Sequence, residues 1–412
     1  MTADGHNMTQ QQRSTGLFRV LFTIGCRGDW RYGVWMFCLG GLVLWGLGGY
    51  RLQLQQGLAV TGLSDQSPWG LYIANFLFLV GIAASAVILV AAVQLFHRQD
   101  LIPTLLPAKA LAITAVLMSL LFVFCDLGHP ERIWHALPLL GSLNFPTSIL
   151  AWDILALTAY LLLNLGLVFL PPRKQSSPPN PQGIGMGSIV AIVLGLSIHT
   201  ITAFMLAGNP SRPLWFSPLL APRFIVSAFA AGSALMILLF GIVNRTSSLS
   251  LPASATRFLS QVLSAALLIH MFLLGVEFFT HFYPTDEHAL ASRLLYLGWN
   301  QNNPWTLWIY VALSLSFLAT VLMIHPRWRS SPKIQTLACL LTLSGLWMEK
   351  GLGLVIPGLV PTPLGESAPY VPTLTEIQIS LAIWALGAMI LTWILRFIIL
   401  IHPSQPNGLR NA

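Results

Sequence analysis

The chain has 412 residues, of which 55% are hydrophobic and only 8% charged, with a formal net charge of +8. Soluble globular domains carry about 25% charged residues. These proportions, with a mean hydropathy of +0.72, exclude a water-driven interior and predict an all-α integral membrane protein. The positive charge does not mark nucleic-acid binding, because its placement along the chain matters more than its sum. Cys26, Cys38, Cys125 and Cys339 lie in three distant regions with no C-x-x-C spacing. They read as buried inert thiols, and neither an iron–sulfur cluster nor a structural zinc is expected in this chain.

Taken in chain order, residues 1–33 form an N-terminal segment expected in the cytoplasm. Within it, Leu17–Ile24, flanked by arginines, reads as a short amphipathic helix along the inner interface. The first apolar run comes late and lacks a small-residue cleavage site, so it reads as an uncleaved anchor. A helical span needs about 20 apolar residues. Ten stretches qualify: Val34–Tyr50, Trp69–Phe96, Ala108–Leu127, Phe145–Leu170, Met186–Ala207, Ala221–Val243, Arg257–Phe282, Pro304–His325, Lys333–Ile356 and Glu376–Ile401. The polytopic region is thus 34–401, with terminal spans at 34–50 and 376–401, and 402–412 is a cytoplasmic tail. Pro171–Gly185 is a Pro/Ser/Gly linker.

Most basic residues fall on one set of connections, among them Arg13, Arg19, Arg27, Arg31, Arg98, Lys109, Arg173, Lys174, Arg327 and Arg329. The other set holds Arg51, Arg132, Arg212, Arg223 and Arg293. The asymmetry puts both termini in the cytoplasm. The outer connections are longer and richer in Pro, Trp and acid, which makes them the expected docking face. No Gly/Pro break is expected at mid-span.

Ionisable residues in such a chain are costly and are kept for a reason. The outer connection after the third span packs Asp126-Leu-Gly-His-Pro-Glu-Arg-Ile-Trp-His135 between two greasy stretches. In the seventh span His270, Glu277 and His281 stand at i, i+7 and i+11, one face of a helix, spread over roughly 16 Å of its outer half. The fourth span carries Asp153, Tyr160 and Asn164. Asn75, His199, Thr202, Glu349 and Lys350 are further polar residues within spans. A carboxylate in hydrocarbon either takes a proton or finds a partner. Glu277 and Asp153 are therefore candidate proton carriers, and a structural pair, such as Glu349 with Lys350 or a nearby arginine, is the alternative. Glycines of the first span and the Gly81-x-x-x-Ser85 pair read as close helix packing.

Several motifs resemble the NrfD / polysulfide reductase membrane-subunit family. They are the Asp126 to Arg132 stretch; Ser67-Pro-Trp-Gly-Leu-Tyr-Ile-Ala-Asn75; Pro213-Leu-Trp-Phe-Ser-Pro218 with Pro222-Arg-Phe-Ile; Gly275-Val-Glu277 with Tyr283; and Glu349-Lys-Gly-Leu-Gly-Leu-Val-Ile-Pro-Gly358 with Pro372-Thr-Leu-Thr-Glu376. The last looks most like the ten-span branch that includes the DsrP-type subunit of sulfite-reductase-associated complexes. The resemblance implies two four-helix bundles with flanking helices, bundle one at about 69–207 and bundle two at about 221–356. It also implies a quinone, menaquinone or ubiquinone, as the reactant, with no haem or iron–sulfur cluster in this chain. The partners implied are a periplasmic ferredoxin-like iron–sulfur subunit, a haem-containing membrane subunit and a multihaem cytochrome. The location implied is the bacterial cytoplasmic membrane.

A quinone head group needs hydrogen bonds at its carbonyls and a proton acceptor. Trp69, Asn75, Asp126, His129, Arg132 and Asp153 are the candidate quinone-binding residues. Arg132 can instead bridge to Asp126 or Glu131. His199, His270, Glu277, His281 and Glu349 are the candidate proton-transfer residues. A secondary transporter and a membrane cytochrome b, the latter using His199 and His270, stand as alternatives.

Overall fold

The computed structural model describes residues 28–83, 85–136, 141, 143–169, 186–247, 249–283, 286–298, 304–360 and 370–401. Leu17–Ile24, Pro171–Gly185 and the tail 402–412 lie outside the described residues. Among those described, every regular element is helical.

The spans in chain order are α1 (Trp30–Gln56), α2 (Leu71–Ala83 continued by Ser85–Gln94), α3 (Leu105–Asp126), α4 (Ile149–Phe169), α5 (Met186–Ala207), α6 (Leu220–Thr246) and α7 (Ala253–Phe282). A short helix α8 (Asp286–Leu297) follows. Then come α9 (Pro304–Ile324), α10 (Pro332–Lys350) with its continuation α11 (Leu352–Gly358), and α12 (Leu374–Ile401). Ten stretches are long and apolar enough to cross a membrane, as the sequence predicts.

Three features differ from expectation. First, α1 is longer at both ends than Val34–Tyr50. Asp29 accepts the Trp30 N–H at its start, and nothing breaks the helix until Gly57, whose φ of 70° ends it. Second, the loop after the seventh span contains α8. It is too short to span, but it buries Ala289, Ala291, Leu294 and Leu295 against α7, α9 and α11. Third, the ninth span is broken at Gly351, in its outer half. A side chain there would collide with the Trp347 carbonyl.

The spans form two rings of four. In the first, α2 packs on α3, α3 on α4, α4 on α5 and α5 back on α2. In the second, α6 packs on α7, α7 on α9, α9 on α10 and α10 back on α6. The rings meet mainly where α6 lies on α2 and α5. A Cβ at Gly232 would strike Ser85, and Gly81 faces Ala228, so small residues set this approach. The terminal helices α1 and α12 pair with each other, and α12 lies along α3.

The glycines of α1 divide between two faces. Gly46 and Gly49 meet Ala382 and Gln378 of α12, whereas Gly40, Gly41 and Gly48 have nothing against them. Gly46→Val should therefore push α12 away and destabilise the protein by about 1–3 kcal/mol. Gly40→Val should leave the unfolding midpoint in detergent unchanged.

Candidate functional site

Two polar centres lie in the outer half of the molecule, one between the rings and the last helix and one inside the second ring. The first is an open cleft, about 440 Å³ in volume, between α2, α9, α10, α11 and α12. Its walls are the indoles of Trp305, Trp308, Trp347 and Trp384 with Leu352, Tyr370 and Pro372. Asn75 and Ser380 add polar atoms. The Asn75 amide is fixed from three directions. Its Oδ1 accepts Nε1–H bonds from Trp347 at 3.0 Å and Trp384 at 3.1 Å, and its Nδ2 donates to the Leu71 carbonyl at 2.9 Å. Both acceptor positions of Oδ1 are thus used, and the second N–H of Nδ2 is left as a donor of fixed direction. The Ser380 hydroxyl is buried with no partner among the described residues.

Above this cleft, Tyr370 donates its hydroxyl proton to Glu376 Oε1 at 2.6 Å and accepts the Leu71 N–H at 2.7 Å. Glu376 is fully buried. Its Oε2 takes backbone N–H bonds from Gly62 at 2.8 Å and Thr373 at 2.9 Å. Thr373 and Glu376 stand in the spacing of a capping box at the start of α12.

The second centre is an ionic cluster inside the second ring. Arg223 of α6 bonds Glu277 of α7 through Nη1 and Glu349 of α10 through Nη2, the latter at 2.6 Å. Glu349 also pairs with His270 Nε2 at 2.8 Å. Leu295 and Tyr296 of α8 cover the cluster together with His281. His281 in turn opens on a surface hollow of about 400 Å³ lined by Pro213, Phe216 and Pro218. Lys350, next along from Glu349, turns the other way. Its Nζ lies 4.1 Å from the centre of the Phe224 ring and 3.4 Å from the Phe224 carbonyl, at the C-terminal end of α10 where a cation is favoured.

The candidate quinone-binding residues are not gathered in one pocket. Asn75 lies in the tryptophan cleft. Trp69 stacks on Trp215 at 5.4 Å and closes the seam between the rings instead. Asp126 ends α3 beneath the outer loop, with Oδ1 buried and without a partner among the described residues. His129 and Arg132 stand exposed on the outer surface, and His129 Nδ1 meets Glu131 at 2.9 Å. The Glu131 carboxyl is held below its ordinary range, first by its own backbone N–H and then by His129. Neither bridge considered for Arg132, to Asp126 or to Glu131, is among the ion pairs of the described residues. Asp153 accepts the Thr202 hydroxyl at 2.7 Å inside the first ring.

Of the candidate proton-transfer residues, His270, Glu277 and Glu349 come together, and His281 forms the outer wall of the cluster. His199 is apart, in the first ring, where Nδ1 bonds the Gly195 carbonyl at 3.0 Å. His199 and His270 therefore do not face one another as a pair of haem ligands would. Among the described residues no group of three or more His, Cys, Asp or Glu could hold a metal. Sequence reasoning places Arg223 only among the outer basic residues, whereas it is the hub of the cluster. Its depth carries the signal, since it lies one turn inside the outer end of α6, level with Glu277 one turn inside the outer end of α7. Sequence reasoning also misses Tyr370 and Glu376 as a pair.

Comparison with known proteins agrees with this architecture. The family model described as "Polysulphide reductase, NrfD" matches residues 59–362. A chain of Halobacterium salinarum, provisionally named as a membrane subunit of dimethyl sulfoxide reductase, is 24% identical over 409 residues, covering 88% of this chain and 90% of that one. The Hdr-like menaquinol oxidoreductase integral membrane subunit of Archaeoglobus fulgidus is 22% identical over 314 residues, 76% of each chain. Protein NrfD of Escherichia coli is 25% identical over 307 residues, 68% of this chain and 92% of its own.

Removing one partner from a buried ion network leaves an uncompensated charge. Arg223→Leu alone should therefore cost about 3–5 kcal/mol of stability. Adding Glu277→Gln and Glu349→Gln should recover most of that loss, read as the unfolding midpoint of the purified protein.

Proposed function

This chain belongs to the NrfD family, and we propose that it is the quinone-reacting membrane subunit of a multi-subunit electron-transfer complex in a bacterial cytoplasmic membrane. The observation that carries the proposal is the tryptophan cleft. It has the size of a small-molecule site, is walled mostly by apolar side chains and holds few polar atoms in fixed positions. A quinone is a flat ring with two carbonyls on a lipid tail. The indole faces suit the ring, and the Asn75 amide and Ser380 hydroxyl supply hydrogen-bond donors for a carbonyl. Menaquinone is the favoured carrier over ubiquinone, because the name of the Archaeoglobus fulgidus relative specifies menaquinol.

The redox partner is an iron–sulfur subunit of ferredoxin type, docked on the outer face. Ile133, Trp134 and Phe145 stand exposed there beside His129 and Arg132, as an apolar patch with a polar rim. On this reading His129 and Arg132 meet the partner, not the head group. A haem-containing membrane subunit and a multihaem cytochrome complete the complex in the DsrP-like assignment, and the setting is respiration or sulfur metabolism. The cluster of Arg223, Glu277, Glu349 and His270, with His281 at its mouth, is assigned to proton handling, as are Asp153 and His199 in the first ring.

A transporter reading draws on the break at Gly351, since broken helices often mark transported-substrate sites. It is the weaker reading, because Glu349 beside the break already has protein partners and Lys350 rests on Phe224.

The test is binding of a quinone analogue to the assembled complex. Asn75→Leu and Ser380→Ala should each weaken binding by roughly tenfold, the value of one hydrogen bond. Undiminished affinity in both variants would remove the cleft from consideration.

A further inference from the structure

The cleft has a polar exit that begins outside the set of candidate residues. Tyr370 forms part of its wall, and the phenol touches Glu376, which lies behind that wall. Asp126 lies near enough to Glu376 for the two carboxylates to act on each other electrostatically. Tyr72 and Cys125 lie beside the same acids, and Tyr50 lies beyond them. Tyr72 is tied down through Gln53, which accepts its hydroxyl at 2.8 Å and donates to the Cys125 carbonyl at 2.6 Å. The ionisable groups acting on the two acids are thus tyrosines, a thiol and each other.

Resting on the quinone reading above, we infer that Tyr370, Glu376 and Asp126 form the proton exit for quinol oxidised in the tryptophan cleft. The quinol O–H bond breaks as its proton passes to the Tyr370 oxygen, while the proton already on that oxygen moves to Glu376 Oε1. Glu376 then passes a proton to Asp126, under the outer loop. The electron leaves separately to an iron–sulfur cluster of the outer partner, and a second round completes the two-electron oxidation.

Geometry carries the step from Tyr370 to Glu376. The Tyr370 oxygen uses one acceptor position on the Leu71 N–H and retains a second for the quinol hydroxyl. Burial, and then the Glu376 carboxylate, push the Tyr370 phenol well above its ordinary pKa. It therefore does not ionise by itself, and the proton must cross it by exchange. The backbone bonds to Glu376 fall on Oε2, and Oε1 faces the phenol. The buried Asp126 Oδ1, without a partner among the described residues, is a ready receiver. Tyr370 and Glu376 both lie beyond the residues 59–362 matched by the family model. The relay therefore starts outside the matched stretch and ends within it, at Asp126.

The bland explanation is that Glu376 only caps α12. Glu376→Gln keeps the capping oxygen and removes the proton acceptor, and Tyr370→Phe removes only the hydroxyl. Both are measured in the assembled complex, with quinol oxidation as the rate and a photoreactive quinone analogue to locate the site. If the relay operates, each substitution lowers kcat by roughly 100-fold or more and raises the solvent deuterium isotope effect, and Glu376→Gln, behind the wall, leaves analogue affinity unchanged. Asp126→Asn should act in the same direction. Should Glu376→Gln fail to assemble, Tyr370→Phe decides alone. If the label marks the cleft and the assembled variants turn over at the unsubstituted rate, the relay is refuted while the quinone reading stands. If the label falls elsewhere, both fail.

Discussion

A guanidinium inside a hydrocarbon-soluble bundle fixes much of what surrounds it. Arg223 cannot remain alone there, and the two carboxylates that satisfy it come from different helices. Its bonds bind α6, α7 and α10 together at one depth. They also hold Glu349 at the end of α10, just where the ninth span breaks at Gly351. The break releases backbone groups, and α8 lies over the region, so the cluster is shut off from the outer surface except past His281. Lys350 is not bonded into the cluster and rests on the Phe224 ring and carbonyl instead.

The two polar centres differ in a way that suits different work. In the second ring, acids meet a permanent cation, so the charge is neutralised by pairing. Around Glu376 the partners among the described residues are backbone N–H groups and hydroxyls, with no cation in hydrogen-bond contact. A carboxylate matched by a guanidinium keeps its charge. A carboxylate matched only by neutral donors can gain or lose a proton without leaving an unpaired ion behind. The second arrangement is the better carrier, and it is the one next to the open cleft.

Much of the fold could be read from the sequence because bilayer thickness sets helix length, and apolar runs declare themselves. The one-face stripe of His270, Glu277 and His281 was legible for a similar reason, since helical geometry alone puts those residues together. α8 was not legible, because twelve residues of mixed polarity resemble a loop when only spanning segments are sought. Arg223 is easily misplaced because a charge near Pro222 at a span edge looks like a loop residue. Matching its depth to Glu277 on the neighbouring antiparallel helix corrects this. The spread of Asp126, His129, Arg132 and Asp153 over separate places has another cause. Nearness along the chain says little about side-chain direction once a loop turns, and α3 and α4 point their acids to different neighbours. The cleft itself depends on α12 reaching α2 across 309 residues of sequence, as in the Trp384 bond to Asn75, and no local pattern reveals such a meeting.

The cleft is assembled from two separate stretches of the chain. Asn75, Trp305, Trp308 and Trp347 belong to the stretch shared across the family, while Ser380 and Trp384 are supplied by the last helix, outside it. One wall thus stands outside the stretch that the family model describes. A change confined to the last helix would alter the shape and wetness of the chamber from that side alone, while the indoles and the Asn75 amide opposite keep their backbone frame.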